Sequence, residues 1–125
     1  MKNVLTLTLA ATLMATLTGC SSSQTAASST TKETKTYKVA VVKQLDHASL
    51  DEIAKAICDE FDAISEKEGV KIEYGDVYSG QNDQTVLQQI GSQVTSEGVD
   101  AIVPIATLAA QTMTVASDGS VPVVF

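Results

Sequence analysis

The sequence predicts an α/β fold, a parallel sheet with crossover helices. Three observations predict it. Short apolar runs recur along residues 39–42, 70–74, 99–106 and 121–125. Apolar residues at helical spacing fill the intervals between them, and polar or glycine-containing stretches divide one run from the next. Strands that alternate with helical patterns at this spacing argue for β-α-β units joined by right-handed crossovers.

Order is expected from Tyr37 onward. Val39-Ala40-Val41-Val42 is continuous apolar chain, as in a strand covered on both faces. Ser49 and Glu52 have capping-box spacing, which opens a helix. Leu50, Ile53, Ala54, Ile57, Phe61 and Ile64 follow with helical periodicity, and Gly69 suits the left-handed residue that ends it. Cys58 lies within that pattern and reads as a small core residue. Residues 70–74 alternate as a short strand, and a polar loop runs from Gly75 to Asn82. Val86, Leu87, Ile90 and Val94 mark a second helix, with Asn82 or Asp83 at its N-cap and Gly98 at its end. Residues 99–106 form a third strand, in which Pro104 argues against a fully regular central ladder. Thr107 is expected to cap a third helix that reaches Ala116. Asp118-Gly119-Ser120 turns the chain, and residues 121–125 begin a fourth strand. No helix follows to cover that strand, so residues 37–125 read as part of a lobe.

The first residues carry a different pattern. Lys2 is a short positive region, and residues 4–17 are apolar or threonine without a charge. That run is shorter than the roughly 20 residues of a membrane span and has the length of a signal-peptide core. It ends in Leu17-Thr18-Gly19-Cys20, which resembles the bacterial lipobox. Residues 1–19 therefore read as a lipoprotein signal peptide and Cys20 as the lipidated residue. Residues 21–36 are dominated by serine and threonine and cannot bury enough surface to offset their ordering entropy. With Cys20 they read as a flexible linker between a lipid anchor and the folded residues 37–125. The expected location is the extracytoplasmic face of the cell membrane.

Charge and cysteine content exclude several classes. The net charge is −7. Cleavage after Gly19 would remove one lysine and no acid, taking it to −8. No arginine occurs, so the basic footprint of a nucleic-acid-binding protein is missing. With Cys20 assigned to lipid, Cys58 stands alone, and no cysteine pair or His/Cys cluster offers a metal site.

In an open parallel sheet, ligands bind beyond the carboxyl ends of the strands, where helix N-termini present free N–H groups. That selects residues 43–49, 75–83 and 106–108. Enzyme signatures are missing there: no phosphate-binding loop with its lysine, no Gly-x-Gly-x-x-Gly and no Gly-x-Ser-x-Gly. The chain is read as a binding protein without a catalytic residue, cofactor or metal. His47, the single histidine, is a polar loop residue or helix-entry contact, a ligand contact, or a catalytic or metal-binding group without an identifiable partner. Gln44 either hydrogen-bonds a ligand or satisfies a loop. Tyr78 either walls a pocket or covers the sheet end. Asp51 suits the positive end of a helix macrodipole. Thr107 is a cap and also a hydroxyl donor for an anion, beside the N–H groups of Leu108 and Ala109. With no arginine to clamp a carboxylate, these donors are the expected anion site.

Four segments carry a resemblance to a known family. Val42-Lys43-Gln44-Leu45-Asp46-His47-Ala48-Ser49-Leu50-Asp51 resembles the first strand–loop–helix of ABC-transporter substrate-binding proteins of the tryptophan/tyrosine-binding type. Ser79-Gly80-Gln81-Asn82-Asp83-Gln84-Thr85 is similar to their second loop, and the stretch from Asp100 to Gln111 to their third strand and helix start. Pro122-Val123-Val124-Phe125 matches their fourth strand. Ala48 and Leu108 stand where the family often has proline. The resemblance implies part of the N-terminal lobe of a two-lobed type I periplasmic-binding-protein-like fold. It also implies a small-molecule ligand such as an amino acid, and ABC permease and ATPase subunits as partners. The strand-end loops offer Gln44, His47, Tyr78, Ser79, Thr107 and Leu108 as the candidate ligand contacts. The competing readings are a ligand-sensing extracytoplasmic domain of a signalling system and a secreted α/β enzyme.

Overall fold

The computed structural model describes residues 34–125. The signal peptide, Cys20 and nearly all of the linker lie outside the described residues. Strand β1 (Thr36–Lys43) is the axis of a parallel sheet. One edge of β1 carries β4 (Ala101–Ile105), in register from Val39 beside Ala101 to Lys43 beside Ile105. The other edge carries two short strands in line. β2 (Lys71–Glu73) lies beside Thr36, Tyr37 and Lys38, and β3 (Tyr78–Ser79) beside Val42 and Lys43. The expected strand at 70–74 is therefore followed by a second one, which the sequence pattern assigned to loop. Gly75, at φ 55°, breaks the edge between them. The expected fourth strand is a single parallel bridge of Val123 to Ile102. There the Ile102 N–H donates to the Pro122 carbonyl and the Val124 N–H to the Ile102 carbonyl, both at 2.9 Å.

Helices cover both faces, unequally. α2 (Gln84–Ser96) and α3 (Thr107–Ser117) lie over one face, where Leu87, Ile90, Val94, Ala109 and Met113 bury themselves against Ala40, Val42 and Ile102. Leu87 is fully buried, worth about 1.5–3 kcal/mol on transfer from water. The two helices approach closely at Gly91, where a Cβ would stand 2.5 Å from the Ala116 Cβ. α1 (Ala48–Glu68) covers the other face alone, over Val41 and Ile105. Only Ala54 of α1 is fully buried. Leu50, Ile57 and Phe61 pack at the margin, and the Phe61 and Tyr74 rings lie 5.7 Å apart. Alternation along β1 explains the split: Ala40 and Val42 point to one face and Val41 to the other. Cys58 is half-buried and does not join the core; desolvation, then Asp62 and Asp59, push its thiol pKa up, away from a reactive thiolate. Among the described residues, no helix is long and apolar enough to cross a membrane.

Candidate functional site

Every strand runs the same way, so the strand ends and the helix starts collect at one end of the sheet. Each helix start there is held differently. α1 is capped by His47, whose Nδ1 accepts from the Ser49 N–H at 3.2 Å. The capping box expected at Ser49 is not used, because the helix already begins at Ala48. An accepting Nδ1 places the proton of a neutral imidazole on Nε2, which leaves one ring donor. His47 is exposed at the mouth of the strand ends. α2 is capped by Asp83, which accepts from the Thr85 N–H at 2.6 Å and the Val86 N–H at 3.2 Å. Hydrogen bonds from the backbone at Val86 and Thr85 hold its carboxyl below the ordinary aspartate range.

α3 departs from expectation. Its N-cap is Ala106, not Thr107, and no side chain within the helix entry caps it. Ala106 sits at φ 77°, ψ 162°, a region used almost only by glycine. Thr107 is the first helical residue and is exposed. The cap arrives from elsewhere in the chain. Gln44, just beyond β1, accepts from the Leu108 N–H through Oε1 at 3.0 Å. The Leu108 N–H, expected to be free for a ligand, is therefore occupied.

The same carboxamide reaches the second loop. Gln44 Nε2 donates to Asn82 Oδ1 at 2.8 Å, and the Gln44 backbone carbonyl accepts from the Asn82 N–H at 2.8 Å. Gln81 and Asn82 both have left-handed backbones, at φ 53° and 56°. Gly80 before them is buried, and a Cβ there would run into the Leu87 side chain and stand 3.0 Å from the Gln44 carbonyl oxygen. Its missing side chain lets the loop lie against β1.

A charged network flanks this joint. The Lys43 ammonium pairs with Asp46 at 2.8 Å and with Asp51 in the first turn of α1. The Lys43 side chain is 13% exposed, against 57% and 52% for the two carboxylates. Gln81 Nε2 donates to Asp46 Oδ2 at 2.9 Å and to Ser79 Oγ at 3.1 Å. The Lys43 bond, then those of Gln81 and Ser79, holds the Asp46 carboxyl low, and the Asp46 and Asp51 bonds hold the Lys43 ammonium high. Asp51 thus keeps the structural role expected of it.

Of the residues the sequence singled out, Gln44, Thr107 and Leu108 meet at the α3 entry, and His47 and Ser79 lie on the neighbouring loops. Tyr78 does not join them. Its hydroxyl donates to Glu97 Oε2 at 3.3 Å, at the far end of α2. Lys43, Gln81, Asn82 and Ala106 were missed. The signal for Asn82 was legible, since asparagine tolerates the left-handed region that turns use. Among the described residues, no three His, Cys, Asp or Glu side chains form a group able to hold a metal ion.

A parallel sheet with polar loops gathered at its strand ends fits many binding folds; the comparison with known proteins narrows it. Residues 38–125 match the family described as ABC transporter substrate binding protein. The chain belongs to this family. Among solved structures, this family member is similar to an ABC domain in complex with L-Trp from Streptococcus pneumonia. The identity is 31% and the TM-score 0.59, over 71% of this chain and 29% of that one. It is also similar to the ligand-free, open structure of CD0873, a substrate binding protein with adhesive properties from Clostridium difficile. There the identity is 26% and the TM-score 0.53, over 70% of this chain and 29% of that one. The chain thus spans less than a third of the length of either. No curated protein matches it.

Proposed function

We propose that residues 37–125 belong to the N-terminal lobe of a lipid-anchored, extracytoplasmic solute-binding protein that serves an ABC importer. The ligand is a small organic molecule such as an amino acid, captured between this lobe and a second one and delivered to a permease driven by an ATPase. Family membership supports the solute-binding role, and the similarity to an L-Trp complex supports an amino acid as ligand. The observation that carries the reading is the convergence of three loops at the strand ends, where His47, Ser79 and Thr107 bring polar side chains and Gln44 meets the Leu108 N–H. Tethering through Cys20 fits delivery, because it holds the receptor at high effective concentration near its permease.

Calorimetric titration of the full-length protein with L-tryptophan, L-tyrosine and a panel of other amino acids tests the proposal. Saturable one-to-one binding of a panel member is expected, weakened in Thr107→Val. No binding across the panel by a folded protein would overturn the amino-acid reading. For the anchor, Cys20→Ser is expected to release the protein from the membrane fraction. Equal labelling by radioactive palmitate in the variant would overturn lipidation at Cys20.

A further inference from the structure

Three residues other than glycine take positive φ at the strand ends, Gln81, Asn82 and Ala106; asparagine tolerates that region, whereas Gln81 and Ala106 are strained there. They lie in two different loops, far apart in sequence. One side chain joins both loops. Gln44 Oε1 takes the Leu108 N–H two residues after Ala106, and Gln44 Nε2 reaches Asn82 Oδ1. The bond to Leu108 has no local substitute. Leu108 is the second residue of α3, so its N–H has no partner within the helix. The Ala106 side chain cannot cap, because it carries no polar atom. Strained turns persist only where the surroundings over-determine them.

We propose that Gln44 is a positioning residue: its carboxamide clamps the 80–83 loop to the entry of α3 and presets the ligand face of this lobe. Each heteroatom of the carboxamide makes one bond within the protein, and through these bonds Gln44 acts on the ligand by way of Asn82 and the α3 entry. Affinity then depends on Gln44 because the receptive geometry exists before binding and need not be ordered during it. The proposal rests on the solute-binding reading above and gives its site an internal mechanism.

The test uses the full-length protein and the substitutions Gln44→Met, Gln44→Glu and Asn82→Ala. Methionine keeps the length and removes both polar atoms. Glutamate keeps an acceptor for the Leu108 N–H and accepts from Asn82 once that amide turns over. Two measurements are made, amide hydrogen exchange at Leu108 without ligand and calorimetric titration with L-tryptophan. Exchange at Leu108 is expected to be slow in the wild type and Gln44→Glu and about tenfold faster in Gln44→Met. Binding is expected to weaken about tenfold in Gln44→Met and to recover in Gln44→Glu, and Asn82→Ala is expected to add little on top of Gln44→Met. Equal Leu108 exchange in the wild type and Gln44→Met would overturn the clamp. So would full additivity of Gln44→Met and Asn82→Ala, or a Gln44→Glu variant as weak as Gln44→Met. A wild type that does not bind L-tryptophan counts against that ligand, while the exchange measurement still decides the clamp.

Discussion

The two ends of the sheet treat left-handed backbone in opposite ways. At the end where helices finish, Gly69, Gly98 and Gly119 take the positive φ values, and a Cβ at any of them would meet open space. Asp118 is the one non-glycine there, and aspartate tolerates this region. At the end where helices start, Gln81, Asn82 and Ala106 take such values, within a web of side-chain bonds from Gln44, Asp46 and Ser79. Turns at the first end are relaxed and need no support. Turns at the second are strained and held, which is the pattern expected where a surface must keep a fixed shape for a ligand.

Substitutions at both ends sharpen this contrast. The largest loss is expected for Gly80→Val, which drives a branched side chain into Leu87 and the Gln44 carbonyl. It should destabilise the full-length protein by about 1–3 kcal/mol in urea unfolding. An unchanged midpoint would mean that the loop does not press against β1. Ala106→Gly should do the reverse. Relief of the strained φ and ψ, of order 1–3 kcal/mol, outweighs the roughly 0.5–1 kcal/mol of added chain entropy. A net gain of about 1 kcal/mol is expected, and a loss would remove the strain argument at the α3 entry. Gly69→Ala should cost about 1 kcal/mol from its positive φ alone, since nothing crowds the site.

Titration gives the smallest and broadest effect. Asp46 and Asp83 have folded pKa values below their unfolded ones, near 3.9 for aspartate. Their contribution is present above that value and lost as pH falls through the folded pKa. Lys43 is shifted up, so its contribution is present below about 10.4 and lost as pH rises through the folded pKa. Thermal melting is thus expected to show a plateau between these limits. Asp46→Asn should shallow both limbs, because it removes one depressed carboxyl and one partner of Lys43. Limbs identical to the wild type would mean the pair contributes nothing.

Much of the fold was legible because it rests on local pattern. The buried run at 40–42, the helical spacing from Leu50 to Ile64, the glycine after α1 and the Asp83 cap all follow from neighbours in sequence. Illegible features depend on distant partners or rare conformations. Thr107 looked like a cap because threonine usually is one, but the Ala106 geometry and a glutamine 64 residues before Leu108 displaced it. His47 was expected as a helix-entry contact, but imidazole is an uncommon cap, and the propensity pattern gave the cap itself to Ser49. Tyr78 was placed at the site by its loop, whereas strand pleating sends its ring toward Glu97. The polar loops at the strand ends were therefore legible as segments, and their internal wiring was not.

The unequal covering of the sheet has a consequence for how the fold comes apart. α1 fully buries one residue, Ala54, whereas α2 buries Leu87, Ile90, Gly91 and Val94 and locks onto α3. Stability is therefore expected to divide into a thin leaf and a thick one, with the thin leaf opening first under mild denaturant. When it lifts, His47 and Asp51 leave with it, while Gln44 stays anchored between β1 and α3. A protease present under those conditions should cut first at the joints of α1, around residues 45–47 and 69–70, and leave the α2–α3 half intact.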